Sequence, residues 1–76
     1  MARLLLVAVA DSGDVGRALG SVDRGDSGKI TFSGPPMVQE LFDMVARVSG
    51  SARQAYANLE RDGWSNGKVA FRVEGS

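Results

Sequence analysis

Seventy-six residues lie at the small end of single-domain lengths, where a chain buries only about 60% of the surface its unfolded form exposes, so one core and one domain, 1–76, are the expectation. With 43% hydrophobic and 24% charged residues the composition is that of a globular protein. The chain has no Cys and no His, which excludes disulfides, thiolate or imidazole metal ligands, Ser-His and Cys-His nucleophilic pairs and a histidine general base. Nine basic residues balance nine acidic ones and alternate with them, so no long-range field draws in nucleic acid or an anionic lipid surface.

The first element is a continuous apolar run at 3–9, Leu- and Val-rich and bounded by Asp11-Ser12-Gly13, which reads as a central strand covered on both faces. Together with Met1-Ala2-Arg3 and Ala8-Val9-Ala10 it looks like a short signal peptide. The run is at the bottom of the roughly 7–15 residues of such a segment, however, and its removal deletes the best strand. Residues 14–22 support two readings. Val15, Ala18, Leu19 and Val22 fall at helical spacing behind Asp14, yet Gly16 and Gly20 each cost a helix interior about 1 kcal/mol. The other reading makes Ala18 to Val22 the first strand of a hairpin that turns through Asp23-Arg24-Gly25-Asp26-Ser27-Gly28 into a strand at 29–33.

Ser33-Gly34-Pro35-Pro36 stops that strand and starts a helix at 36–48, with Met37, Leu41, Met44, Val45 and Val48 as its apolar stripe, widened by Val38 and Phe42. Ser51 and Gln54 have the spacing of a capping box and open a second helix at 51–61, closed by Asp62-Gly63. Trp64-Ser65-Asn66-Gly67 is turn chemistry before a half-buried strand at 68–73, where Val69, Phe71 and Val73 alternate with polar or small residues. The resulting expectation is α+β: a small three- to four-stranded, mainly antiparallel sheet with two consecutive helices packed on one face.

Several motifs compete for a function. Asp23 to Phe32 and Asp62 to Phe71 align without gaps and look like calcium-binding EF-hand loops, but the bidentate Glu of that motif is replaced by Gly34 and Val73, and its acidic third position by Gly25 and Trp64. Two turn-plus-strand segments account for the match, and no metal or cofactor is expected. Arg24-Gly25-Asp26 is an integrin-type triplet, a short match of low specificity. Phosphate-loop patterns fail on spacing around Gly28-Lys29 and Gly67-Lys68, and Gly13 to Gly16 lacks the GxGxxG pattern. Glu40 and Asp43 share a helix face without converging partners, so no catalytic residue is assigned.

Trp64 is the leading interaction candidate, as either a cap on the seam between sheet and helices or an exposed anchor. Phe42, Met44 and Tyr56 join it as apolar or stacking candidates, and Arg47 and Arg61, with Arg53 and Arg72, as a modest basic rim.

The Ser33-Gly34-Pro35-Pro36 helix start, with Gly63-Trp64-Ser65-Asn66-Gly67 and the strand after it, resembles small proteins of unassigned role encoded by actinobacteria and their phages. The likeness covers the C-terminal two-thirds of the chain. It implies an accessory protein, cytoplasmic or virion-associated, and carries no catalytic residues. The expected function is therefore a non-enzymatic module that binds a protein partner or itself. A weak nucleic-acid-binding or regulatory domain is the alternative, and a degenerate EF-hand-like pair without calcium a further one. No membrane-spanning segment is expected.

Overall fold

The computed structural model describes residues 3–9 and 17–74. The elements are β1 (Arg3–Ala8), β2 (Ala18–Arg24), β3 (Ile30–Ser33), α1 (Pro36–Ser49), α2 (Ala52–Asp62), β4 (Trp64–Ser65) and β5 (Val69–Glu74). The strands form one antiparallel sheet in the order β3-β2-β1-β5-β4, so the fold is α+β with five strands.

The most apolar strand takes the middle, where both of its edges are paired. The expectation that both of its faces are covered is not met, because the helices lie on the face of Leu4 and Leu6 and the other leaves Arg3 exposed and Leu5 only partly buried. Leu4 and Leu6 of β1 are fully buried and join Val22 of β2, Phe71 of β5 and the buried helix residues Val38, Phe42, Ala55, Tyr56 and Leu59 in one core. Both helices therefore cover the same face of the sheet. Val7 is also buried, although it pairs with Ala70 rather than with core-facing Phe71. A bulge after Leu6 moves the register from Leu6–Gly20 to Val7–Ala18.

The sheet is larger than the three or four strands expected from sequence, and the two additions have separate causes. Over Ala18–Arg24 the strand reading holds, and residues 14–16 of the ambiguous stretch lie outside the described residues. Gly20, unfavourable in a helix, is suited to this strand because α1 and the end of β3 come close against its backbone. The second addition is β4. Trp64 and Ser65, expected in a turn, pair instead with Phe71 and Ala70. The turn itself is displaced to residues 66–68, where the Asn66 side-chain oxygen accepts from the backbone N–H of Lys68 at 2.9 Å and of Val69 at 3.0 Å.

α1 starts at Pro36, as the missing proline N–H allows, and extends one residue beyond the expected 48. α2 follows after Gly50 and Ser51. The Ser51 hydroxyl accepts from the Gln54 backbone N–H at 3.1 Å, satisfying one of the unpaired donors of the first turn. Ser51→Ala is expected to cost about 1 kcal/mol, which lowers the melting temperature of a domain this size by roughly 4–8 °C in a thermal melt.

Tyr56 is buried beneath the β2–β3 hairpin. Its phenol is pushed above the ordinary value of 10.0, first by burial, then by the charges of Glu60 and Asp23; the charge of Arg24 and a hydrogen bond with the Arg24 backbone oppose them. A raised native value means that the folded state holds this proton more tightly than the unfolded chain. The corresponding stability is complete below the unfolded value and is lost as pH rises through the native one. The alkaline limb of a stability–pH curve is therefore expected to fall above about pH 10 and to flatten in Tyr56→Phe, with absorbance of the single tyrosine reporting the titration directly.

Candidate functional site

The last two turns of α1 and the outermost strand enclose an apolar groove. Met44, Val45, Val48 and Ser49 form one wall and Trp64 the other, around a volume of about 260 Å³. The α1 stripe extends past the part of the core that covers it: Val38 and Phe42 are buried, whereas Met44 is 44% and Val48 89% exposed. Such exposure of large aliphatic side chains, grouped beside an aromatic ring, departs from the scattered single apolar residues of an ordinary surface.

Trp64 combines the two roles weighed from sequence. Its ring is half-buried and lies 5.9 Å from Phe71 at 48°, so it caps the seam between sheet and helices, and its remaining surface walls the groove. Phe71 in turn meets Phe42 edge-on at 6.4 Å, and Phe42 meets Phe32 at 5.4 Å. The floor behind the groove is thus a packed aromatic array rather than a mobile surface. The turn after β4 holds Trp64 from its other side, as the Gly67 N–H donates to the Ser65 hydroxyl at 3.1 Å and the Asn66 N–H to the Val69 carbonyl at 3.1 Å.

No protein family, curated protein sequence or solved structure matches this chain. The groove must be understood from its own chemistry.

Of the residues singled out from sequence, Trp64 and Met44 meet in the groove. Phe42 and Tyr56 do not: at 1% and 2% exposure they are core residues, and neither presents a surface to a partner. Their place was legible in principle, since Phe42 follows Val38 by four residues and Tyr56 sits beside Ala55 and near Leu59 on one helical stripe. Arg47 is exposed on the last turns of α1. Arg61 is exposed but tied to Asp62, with Nη2 2.8 Å and Nε 3.0 Å from Oδ2. That hydrogen-bonded pair holds the Asp62 carboxyl below the usual carboxylate range.

A basic rim for nucleic acid is not assembled. Arg72 alternates with core-facing Phe71 and so stands on the sheet face away from the helices that carry Arg47 and Arg61, while Arg53 lies over the β2–β3 turn at Gly28. The two EF-hand-like segments also part ways: Asp23 lies within β2, and Asp62 closes α2. Among the described residues no three carboxylates gather in a position to hold a metal ion, and no helix is long and apolar enough to cross a membrane.

Sequence reasoning missed Val45, Val48 and Ser49 as part of a site. The available signal was the length of the α1 stripe, which provides more apolar positions than one face of a small sheet can cover.

Proposed function

We propose that this chain is a non-enzymatic protein-interaction module, and that its docking surface is the groove between Val48 and Trp64. The observation that carries this reading is the exposure of Met44 and Val48 beside a half-buried tryptophan on the open edge of the sheet. Aromatic anchors with an adjoining apolar pocket are the common form of a binding hot spot.

The occupant we assign is a short apolar segment of a partner protein, inserting one or two aliphatic or aromatic side chains. The volume of about 260 Å³ falls below the roughly 300–1,000 Å³ of small-molecule sites. A groove of four α1 side chains and one ring is also far smaller than the ~800 Å² that each partner contributes to a stable globular dimer. The β4 edge adds unpaired backbone groups beside the groove, to which an extended segment can bond. Such a module suits an accessory protein that docks onto a larger assembly.

Val48→Asp tests the reading. Because Val48 is 89% exposed, the substitution is expected to change stability by no more than about 0.5 kcal/mol, yet to weaken binding of an apolar segment at least tenfold by isothermal titration. Unchanged affinity in Val48→Asp and Met44→Asp contradicts it.

A further inference from the structure

A second cavity lies at the opposite end of the sheet and shares no residue with the groove. We propose that it binds a small phosphomonoester bearing hydroxyl groups, of the sugar-phosphate class. The cleft, about 460 Å³, opens between the start of β1 and the turn end of the β2–β3 hairpin and is lined by Arg3, Asp23, Arg24, Ser27, Lys29 and Thr31. Its volume lies within the range of small-ligand sites, unlike that of the groove.

The charge pattern selects the ligand. Arg24 and Lys29 line the cleft with the single carboxylate of Asp23, and Arg3, its charge offset by Glu74, completes the cationic lining. Among the described residues, neither Arg24 nor Lys29 stands in a salt bridge, and both are exposed where they flank the β2–β3 turn. Arg3 is paired with Glu74 through Nε at 2.9 Å, which offsets its charge and leaves its two terminal nitrogens as further donors at the cleft wall. A phosphate dianion answers two or three such cations, and the Ser27 and Thr31 hydroxyls add neutral donors.

Asp23 determines what accompanies the phosphate. It pairs in register with Thr31, on the strand face opposite core-facing Val22, and this half-buried residue shares the cleft lining with the cations. A carboxylate only accepts hydrogen bonds, so it repels a bare anion but receives the hydroxyls of a sugar, as acidic residues do for ribose in nucleotide sites. Cations for the phosphate and a carboxylate for a diol together fit a sugar phosphate better than inorganic phosphate.

The test titrates ribose 5-phosphate, inorganic phosphate and ribose separately into the full chain, followed by proton–nitrogen correlation spectra. The expected result is saturable binding of ribose 5-phosphate, with shifts centred on residues 23–31 and Arg3 and with clearly weaker binding of phosphate and ribose. Lys29→Gln and Arg24→Gln, both at exposed positions, are each expected to weaken it about five- to tenfold. Asp23→Asn is expected to remove the preference for ribose 5-phosphate over phosphate, and Ser27→Ala provides a milder second variant. Absence of saturable shifts, equal affinity for phosphate and ribose 5-phosphate, shifts elsewhere on the chain, or insensitivity to both cation variants overturns the proposal. Tighter binding of a single-stranded oligonucleotide through the same residues overturns the assignment of a small ligand.

Discussion

Gly20→Ala is expected to lower the stability of the fold by about 3 kcal/mol, a large share of the roughly 4–11 kcal/mol available to a chain of this length. A β-carbon at this position overlaps the Ser33 carbonyl oxygen and stands 2.5 Å from Val38 Cγ2. The first of these neighbours is backbone and cannot rotate away. Relief requires β3 to separate from β2 or the first turn of α1 to lift from the sheet. Gly34, with φ +109°, belongs to the same contact: a β-carbon there meets the Leu19 carbonyl oxygen at 2.7 Å and Gly20 Cα at 2.9 Å. The two glycines thus let the chain leave β3, turn and lay α1 back across β2 within a few residues. Chemical denaturation checks the size of the effect. Adding Val38→Ala to Gly20→Ala is expected to cost less than the sum of the single changes, because it removes one of the two clashes while the Ser33 clash persists.

Phe71→Ala is expected to cost about 3–5 kcal/mol and so to leave much of the protein unfolded at moderate temperature. Phe71 is 1% exposed and sits between the rings of Phe42 and Trp64, with which it makes the contacts that join the sheet to α1 and to the groove. Removing it opens a cavity in the core and takes away the ring on which Trp64 rests. Two readouts are expected to move together: the denaturation midpoint falls, and emission from the single tryptophan shifts towards that of a solvent-exposed indole. A marginal loss of stability with unchanged emission contradicts the packing described.

The elements most legible in the sequence were those specified by neighbours in the chain. The apolar run marked the central strand, Pro36 marked the start of α1, and Ser51 with Gln54 marked that of α2, because each signal acts within a turn or two. β2 was ambiguous for the opposite reason. The value of Gly20 depends on Val38 and Ser33, residues brought to it only by the fold, so its local cost in a helix was visible and its tertiary purpose was not. Asn66 is a similar case: its side chain closes the turn after β4, which frees Trp64 and Ser65 to pair as a strand. The groove was half legible. Trp64 and Met44 were apparent as apolar residues near element ends, but whether Phe42 or Val48 of the same stripe stays outside depends on where the sheet ends beneath α1. The cleft lined by Arg3, Arg24 and Lys29 was not legible at all, since its residues come from three strands and a turn.

The folded core and the proposed docking surface share one aromatic column, from Phe42 through Phe71 to Trp64. Rigid backing of this kind favours binding, because a wall already ordered loses little freedom when a partner arrives. The same coupling means that a useful test must alter the groove without disturbing its floor, a condition that exposed Val48 meets and Phe71 does not.

The most direct test is a selection of extended peptides from a random library against the full chain, with each selected peptide then mapped by proton–nitrogen correlation spectra on the wild type and on Val48→Asp. The account predicts peptides with one or two large apolar side chains, shifts at the Trp64 indole and along residues 44–49, and at least tenfold weaker binding to Val48→Asp. Selected peptides that bind Val48→Asp equally well, or that map away from Trp64, contradict it.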